Sequence, residues 1–160
     1  MSFHIRPAQL PRDEPAFLGF ILGLQRFEHD FEPNRRLDDA VAGDYLGPLL
    51  RRVAEKGGAV FAAEDDRGGA IGWGVVLEAE DDIYVIAGER RHAYIAELFV
   101  VETARGTGVG RALIAACEDW ARRGGHNVLQ IGVLPGNTRA RAIHEQAGYS
   151  PYAVQLRKKI

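Results

Sequence analysis

Arg105-Gly106-Thr107-Gly108-Val109-Gly110 sets three glycines at alternate positions, with a cationic side chain at each end in Arg105 and Arg111. Glycines so spaced let main chain approach a ligand without a Cβ in the way and aim successive N–H groups into one concavity. The chemistry such a loop suits is the cradling of a phosphate, with charge added by the arginines. Elsewhere in the chain, Glu97 before the loop and Asn137 and His144 after it carry groups that could hydrogen-bond, shuttle a proton or accept one.

Elements flanking the loop decide which cradle it is. Ala93 to Val101 is β-branched and aromatic enough to read as a largely buried strand. From Arg111 to Arg123, Leu113, Cys117 and Trp120 recur at helical spacing, with Ile114 and Ala121 widening the stripe. A diphosphate in the loop would also meet the free N–H groups and positive end of that helix, worth about 0.3–1 kcal/mol per favourable charge. Asn127 to Leu134 reads as the next strand, so the unit is strand, loop, helix, parallel strand. A Walker loop is excluded because no Lys stands nearby, and the dinucleotide fingerprint fails because its third glycine would fall on Arg111 or Leu113.

The unit resembles the acetyl-CoA site of the GNAT superfamily of N-acetyltransferases, whose signature is Arg/Gln-x-x-Gly-x-Gly/Ala. A second block, Asn137-Thr138-Arg139-Ala140-Arg141-Ala142-Ile143-His144-Glu145-Gln146-Ala147-Gly148-Tyr149, is similar to the family's Asn-x-x-Ala-x-x-Leu-Tyr-Glu-x-x-Gly-Phe. The resemblance implies an α+β, three-layer fold: a central mixed, mostly antiparallel sheet with helices on both faces and a splayed parallel strand pair. It further implies acetyl-CoA as co-substrate, an amine acceptor and direct attack in a ternary complex, without a metal. By the same resemblance Gly106, Thr107, Gly108, Val109, Gly110 and Arg111 hold the diphosphate together with Arg105. The pantetheine arm lies along Leu98, Phe99 and Val100, where a backbone N–H serves the developing oxyanion. Asn137 reaches the cofactor, although a plain helix cap would look identical in sequence.

His144 departs from the pattern, since most members place Tyr there as proposed acid for the leaving sulfur. Two readings stand: His144 supplies the proton or a hydrogen bond, or the thiolate leaves unaided. Glu97 is the acid nearest the cofactor strand, either the base that deprotonates the amine or a salt-bridge partner at the sheet edge. Strand alternation puts Glu97 on the opposite face from Ala96. Phe27-Glu28 looks like the Tyr-Glu of diamine and thialysine acetyltransferases. It implies a small cationic amine (polyamine, diamine or lysine analogue) held by Glu28, against the alternative of a solvated acidic turn. Tyr84 and Tyr45 can line the same wall or belong to the core. Protein N-termini and aminoglycoside-type amines remain alternative acceptors, and a catalytically silent acetyl-CoA-binding regulatory module is the rival from another class.

Composition sets outer bounds. The 160 residues suit a single domain over 1–160, long enough to bury roughly two thirds of the unfolded surface. A net charge of -2 gives no basic excess, so nucleic acid is not expected as a partner. No apolar run spans a membrane and no leader is evident, which points to a cytoplasmic protein. The single Cys117 falls on an apolar helix stripe and reads as core. Superfamily members often pair through a sheet edge or last strand; a homodimer is allowed and nothing in the sequence decides it.

Earlier in the chain, Phe3 to Arg6 reads as a strand and Asp13 as the cap of a helix using Phe17, Phe20, Ile21 and Leu24. Asp38 to Lys56 reads as a second helix, split at Gly47-Pro48. Ala59 to Glu64 and Ala70 to Ala79 form a hairpin through Asp65 to Gly69, and Pro151 to Lys158 closes the chain as a last strand.

Overall fold

The computed structural model describes residues 2–160. Five strands lie in sequence order: β1 (Phe3–Pro7), β2 (Ala59–Asp65), β3 (Ala70–Glu80), β4 (Arg91–Val100) and β5 (Leu129–Ile131). The first three pairings are antiparallel and β4 runs parallel to β5. The sheet is therefore mixed and mostly antiparallel, as expected.

Helices cover both faces because the apolar side chains of the strands point both ways. On one face pack α1 (Glu14–His29) and α2 (Val41–Glu55). Phe17, Phe20 and Ile21 of α1 and Leu46, Leu49 and Val53 of α2 close over Trp73 and Val75. Phe17 and Trp73 have ring centroids 4.7 Å apart, a contact that adds about 0.5–1.5 kcal/mol to plain area burial. The other face carries α4 (Val109–Arg123), whose Val109, Leu113, Cys117 and Ala121 pack on Ala63, Ile71, Val76, Ala93 and Ile95. Cys117 is fully buried, as read from the sequence, and burial pushes its thiol up to about 12, which leaves it protonated. The short α3 (Ala87–Arg90) and α5 (Thr138–Gln146) complete the set.

Three local expectations are corrected. Asp13 precedes α1 but its side chain caps nothing; it is buried and takes both guanidinium nitrogens of Arg6 at 2.7 Å, with the Gln9 N–H at 2.7 Å. The charged partner on β1, seven residues back, outcompetes the weaker capping bond. α2 runs through Pro48 unbroken, because the apolar face carried by Leu46, Leu49 and Val53 outweighs the loss of one helical hydrogen bond. Pro151 to Lys158 forms no strand: Tyr152, Val154 and Leu156 alternate as a strand would, yet they stand exposed without a sheet partner, and Arg157 reaches Glu32 beyond α1 at 2.6 Å. Alternation makes a segment compatible with a sheet but supplies no partner edge.

One irregularity positions everything that follows. Opposite the consecutive Val75 and Val76 of β3 stand Glu97 and Ile95 of β4, so Ala96 is an extra residue, a β-bulge. β5 pairs with β4 only along Ala93 to Ile95 and stops where the bulge begins. Past Ala96 the two strands part, giving the splayed pair.

Candidate functional site

The bulge changes which side chains share a face. Before it, Tyr94 faces α1 and α2 while Ala93 and Ile95 face α4; after it, Phe99 faces α1 and Leu98 and Val100 face α4. Ala96 and Glu97 both fall on the α1/α2 side: Ala96 packs in that core, and Glu97 accepts a hydrogen bond from Tyr45 of α2. The expectation that Glu97 and Ala96 point to opposite faces is thus corrected, since the extra residue resets the two-residue alternation.

Main chain past the bulge is left open on the β5 side. The Val101 N–H donates to Ile71 of β3 at 3.0 Å, so by alternation Leu98 and Val100 turn their N–H and C=O groups into the gap. At its end the Val100 carbonyl accepts from Arg105 Nε at 3.1 Å. Leu98, Phe99 and Val100 are each half-buried, as residues lining a slot should be.

The glycine loop lies at the mouth of this slot. Gly106 has φ of 81° and Gly108 φ of 95°, a left-handed backbone that L side chains rarely adopt, and nothing lies within 4 Å of where a Cβ would stand on either. Thr107 closes the turn by donating to the Ala104 carbonyl at 2.7 Å. Gly108 begins α4 with no side-chain cap and no acidic residue in the first turn, where Gly110 and exposed Arg111 stand and Val109 anchors the core. A 15-residue helix therefore presents an uncapped N-terminus to open space beside Arg111, which suits an anion.

Arg105 is turned the other way. Its guanidinium lies over the rings of Phe27 (5.1 Å) and Phe99 (5.7 Å), two cation–π contacts. Phe27 thereby ties the end of α1 to the loop. Phe31, one turn on, packs against Gly136 beyond β5, its Cδ1 only 2.8 Å from where a Cβ on that glycine would stand. The α1 terminus thus spans the slot from the β4 side to the β5 side.

Glu97 is 8 % exposed, and burial is the main reason that its carboxyl is pushed up to about 7. The charge of Glu28 acts in the same direction, while the Tyr45 hydrogen bond and the charge of Arg52 oppose it. Glu28 and Glu97 are thus brought within electrostatic reach, and Glu28 also accepts from Arg35 Nε at 2.6 Å. Asn137 caps α5, its Oδ1 accepting from the Ala140 N–H at 3.1 Å. His144 of α5 is buried, its ring in edge contact with Tyr149 at 6.0 Å, and its Nδ1 has no hydrogen-bond partner. Burial lowers its pKa, so the imidazole is neutral near pH 7.

Tyr84 is not part of this gathering: it is 83 % exposed in the connection that precedes β4. What sequence reasoning did not find is the bulge at Ala96, the bond that Tyr45, expected to line the acceptor wall or the core, makes to Glu97, and Arg52 two turns on along α2. A polar Tyr45 inside the apolar periodicity of α2 was the one available signal. Among the described residues no group of three or more His, Cys, Asp or Glu could hold a metal ion, and no helix is long and apolar enough to cross a membrane.

Comparison with known proteins agrees with this arrangement. The acetyltransferase (GNAT) family model matches residues 20–149. An aminoglycoside N(6')-acetyltransferase type 1 from Stenotrophomonas maltophilia is 33% identical over 109 residues, 68% of this chain and 70% of that protein. Among solved structures, a mutant BH1408 protein from Bacillus halodurans superposes with a TM-score of 0.81 at 20% identity, over 98% of this chain and 99% of the other. The aminoglycoside acetyltransferase AAC(6')-Iy, in complex with the bisubstrate analogue CoA-S-monomethyl-acetylneamine, gives 0.70 at 23% identity over 100% of both chains. With the bulged strand, the glycine loop and the splayed pair already in place, the family match over most of its length makes this chain a member of the GNAT acetyltransferase family, an N-acetyltransferase.

Proposed function

We propose that the chain transfers the acetyl group of acetyl-CoA to a primary amine of a small cationic acceptor, by direct attack while both substrates are bound. The observation that carries this reading is the bulge at Ala96, which opens the main chain of Leu98 and Val100 and turns Glu97 towards Glu28 at the same point of the strand.

The residues present fit the coenzyme. The open space over Gly106 and Gly108, the uncapped α4 and Arg111 suit a diphosphate; the free N–H and C=O of Leu98 and the N–H of Val100 suit the amides of the arm. Arg105 contributes by holding Phe27 and Phe99 and by adding positive potential, and Asn137 by its remaining amide group. When bound, the thioester supplies the electrophilic acyl carbon.

This chain's residues supply the proton transfers. Glu97, with a carboxyl near 7, takes a proton from the acceptor's ammonium group. The freed nitrogen bonds to the carbonyl carbon, the carbon–sulfur bond breaks with its electron pair on sulfur, and the second nitrogen proton passes to the departing thiolate, leaving the amide and a free thiol. A backbone N–H in Leu98 to Val100 meets the charge developing on the carbonyl oxygen. His144, neutral at pH 7, acts as an N–H donor to sulfur rather than as an imidazolium acid. Glu28 attracts the cationic acceptor; polyamines, diamines and lysine analogues match that charge. The aminoglycoside acetyltransferase among the relatives favours a second acceptor of the same charge class, an aminoglycoside amine.

Homodimer formation belongs to the same proposal, with exposed Tyr152, Val154 and Leu156 as the available apolar surface. Thiol release from acetyl-CoA over a panel of polyamines, diamines, lysine analogues, aminoglycosides and neutral amines tests the activity. Turnover confined to cationic amines is expected, and equal turnover of neutral ones would remove the role of Glu28.

A further inference from the structure

Glu97 is the only described residue to which Tyr45 donates, and the bond joins elements 52 positions apart. Tyr45 projects from α2 across the sheet face onto the first side chain after the bulge. Arg52 stands two turns further along α2, and its charge acts on both Tyr45 and Glu97. Among the described residues, no hydrogen bond reaches the second carboxylate oxygen, Oε2.

A buried carboxyl on a strand edge has several rotamers, which aim its oxygens in different directions. Holding one oxygen from a rigid helix removes that freedom and leaves the other available. We propose that Tyr45 is a positioning residue of the reaction: by donating to Oε1 it fixes the Glu97 carboxylate so that Oε2 takes the proton of the acceptor amine. Resting on the reading of Glu97 as base, the inference adds that α2, remote from the coenzyme loop, sets the reactivity of that base.

The charged and titratable groups facing Glu97 are Tyr45 and Arg52 from α2 and Glu28 from α1, the last already paired with Arg35. Tyr45 keeps its proton throughout the working range, because burial and the neighbouring carboxylate both hold it on. Its hydrogen bond favours the ionised form of Glu97, so deleting it raises the pH at which Glu97 becomes a base. A hydrogen bond to a charged partner supports a displacement of about one pH unit, a tenfold change in the ionised fraction.

The test is the pH dependence of kcat/KM from pH 6 to 10 for wild type, Tyr45→Phe and Glu97→Gln, using an amine that turns over, with CoA affinity measured by calorimetry. Tyr45→Phe is expected to keep CoA affinity within about twofold and to move the acidic limb upward by about one unit. Its rate falls about fivefold at pH 7 and about tenfold at pH 6, and returns towards wild type at pH 9. A loss of equal size at every pH, or an unmoved limb, overturns the proposal. Should Tyr45→Phe fail to fold, Arg52→Gln at the exposed end of the same array is expected to move the limb upward by a smaller amount, and no movement overturns the proposal. Failure of the underlying reading looks different: Glu97→Gln would then retain the wild-type profile. Loss of the limb in Glu97→Gln with no movement in Tyr45→Phe leaves the base in place and removes Tyr45.

Discussion

Glu97→Gln is expected to damage catalysis and stabilise the fold, and the opposite signs follow from the burial of this carboxyl. In water a glutamate titrates near 4.5; in the fold burial pushes Glu97 up to about 7. The folded-state value is the higher one, so the stability attached to Glu97 is fully present below about pH 4.5 and is lost as pH rises through 7. That displacement corresponds to an upper bound of roughly 3 kcal/mol of native-state cost for carrying the charge at pH 8. Glutamine keeps an acceptor for the Tyr45 hydroxyl and cannot ionise, so it avoids that cost. With part of the bound lost to relaxation, a gain of about 2 kcal/mol shifts the melting temperature of a domain of this size by about 4–8 °C. The assay is thermal unfolding of wild type and variant at pH 5 and pH 8, with thiol-release kinetics on the same samples. The variant is expected to melt higher at pH 8, to approach wild type at pH 5, and to lose about 10²–10⁴-fold in kcat/KM. A variant that melts lower at pH 8 would refute the reasoning, because Glu97 would then be holding the fold. Unchanged kinetics would equally exclude it as the base.

His144→Ala is expected to lower kcat about tenfold, the worth of one hydrogen bond to the leaving sulfur, without changing the pH profile between 6 and 9. A titration that disappears with the imidazole would show instead that its protonated form acts. Arg6→Leu leaves Asp13 buried without its guanidinium partner and is expected to cost about 3 kcal/mol at pH 7, read by denaturant unfolding. Arg6 holds the Asp13 carboxyl below its usual range, so this contribution is present above about pH 4 and fades as pH falls through the folded-state value. A penalty of the same size at pH 3 and pH 7 would contradict the ion-pair account.

Which parts of this site could be read in advance depends on how local their cause is. The loop from Arg105 to Arg111 was legible because left-handed backbone at Gly106 and Gly108 demands glycine, and that demand is written in the residue types. Helices α1, α2 and α4 were legible because one-sided burial imposes apolar spacing. The bulge at Ala96 leaves no such trace: Ala-Glu-Leu-Phe-Val satisfies a regular strand equally well, and the extra residue is visible only against β3. The same blindness hid the pairing of Tyr45 with Glu97, which lies 52 positions away and on the face that regular alternation denies to it. Asp13 and the 151–158 segment failed for the converse reason, since local rules for caps and strands were obeyed while tertiary partners decided otherwise.

Calorimetric titration of CoA into wild type and Gly108→Val tests the central claim, that the open loop and the unpaired edge past the bulge form the coenzyme site. Wild type is expected to give saturable one-to-one binding. In Gly108→Val the side chain enters the space above the loop at a backbone angle of 95° and is expected to weaken binding by at least about tenfold, with the core of α4 still folded by circular dichroism. Absence of binding in wild type, or the same affinity in both proteins, would contradict it.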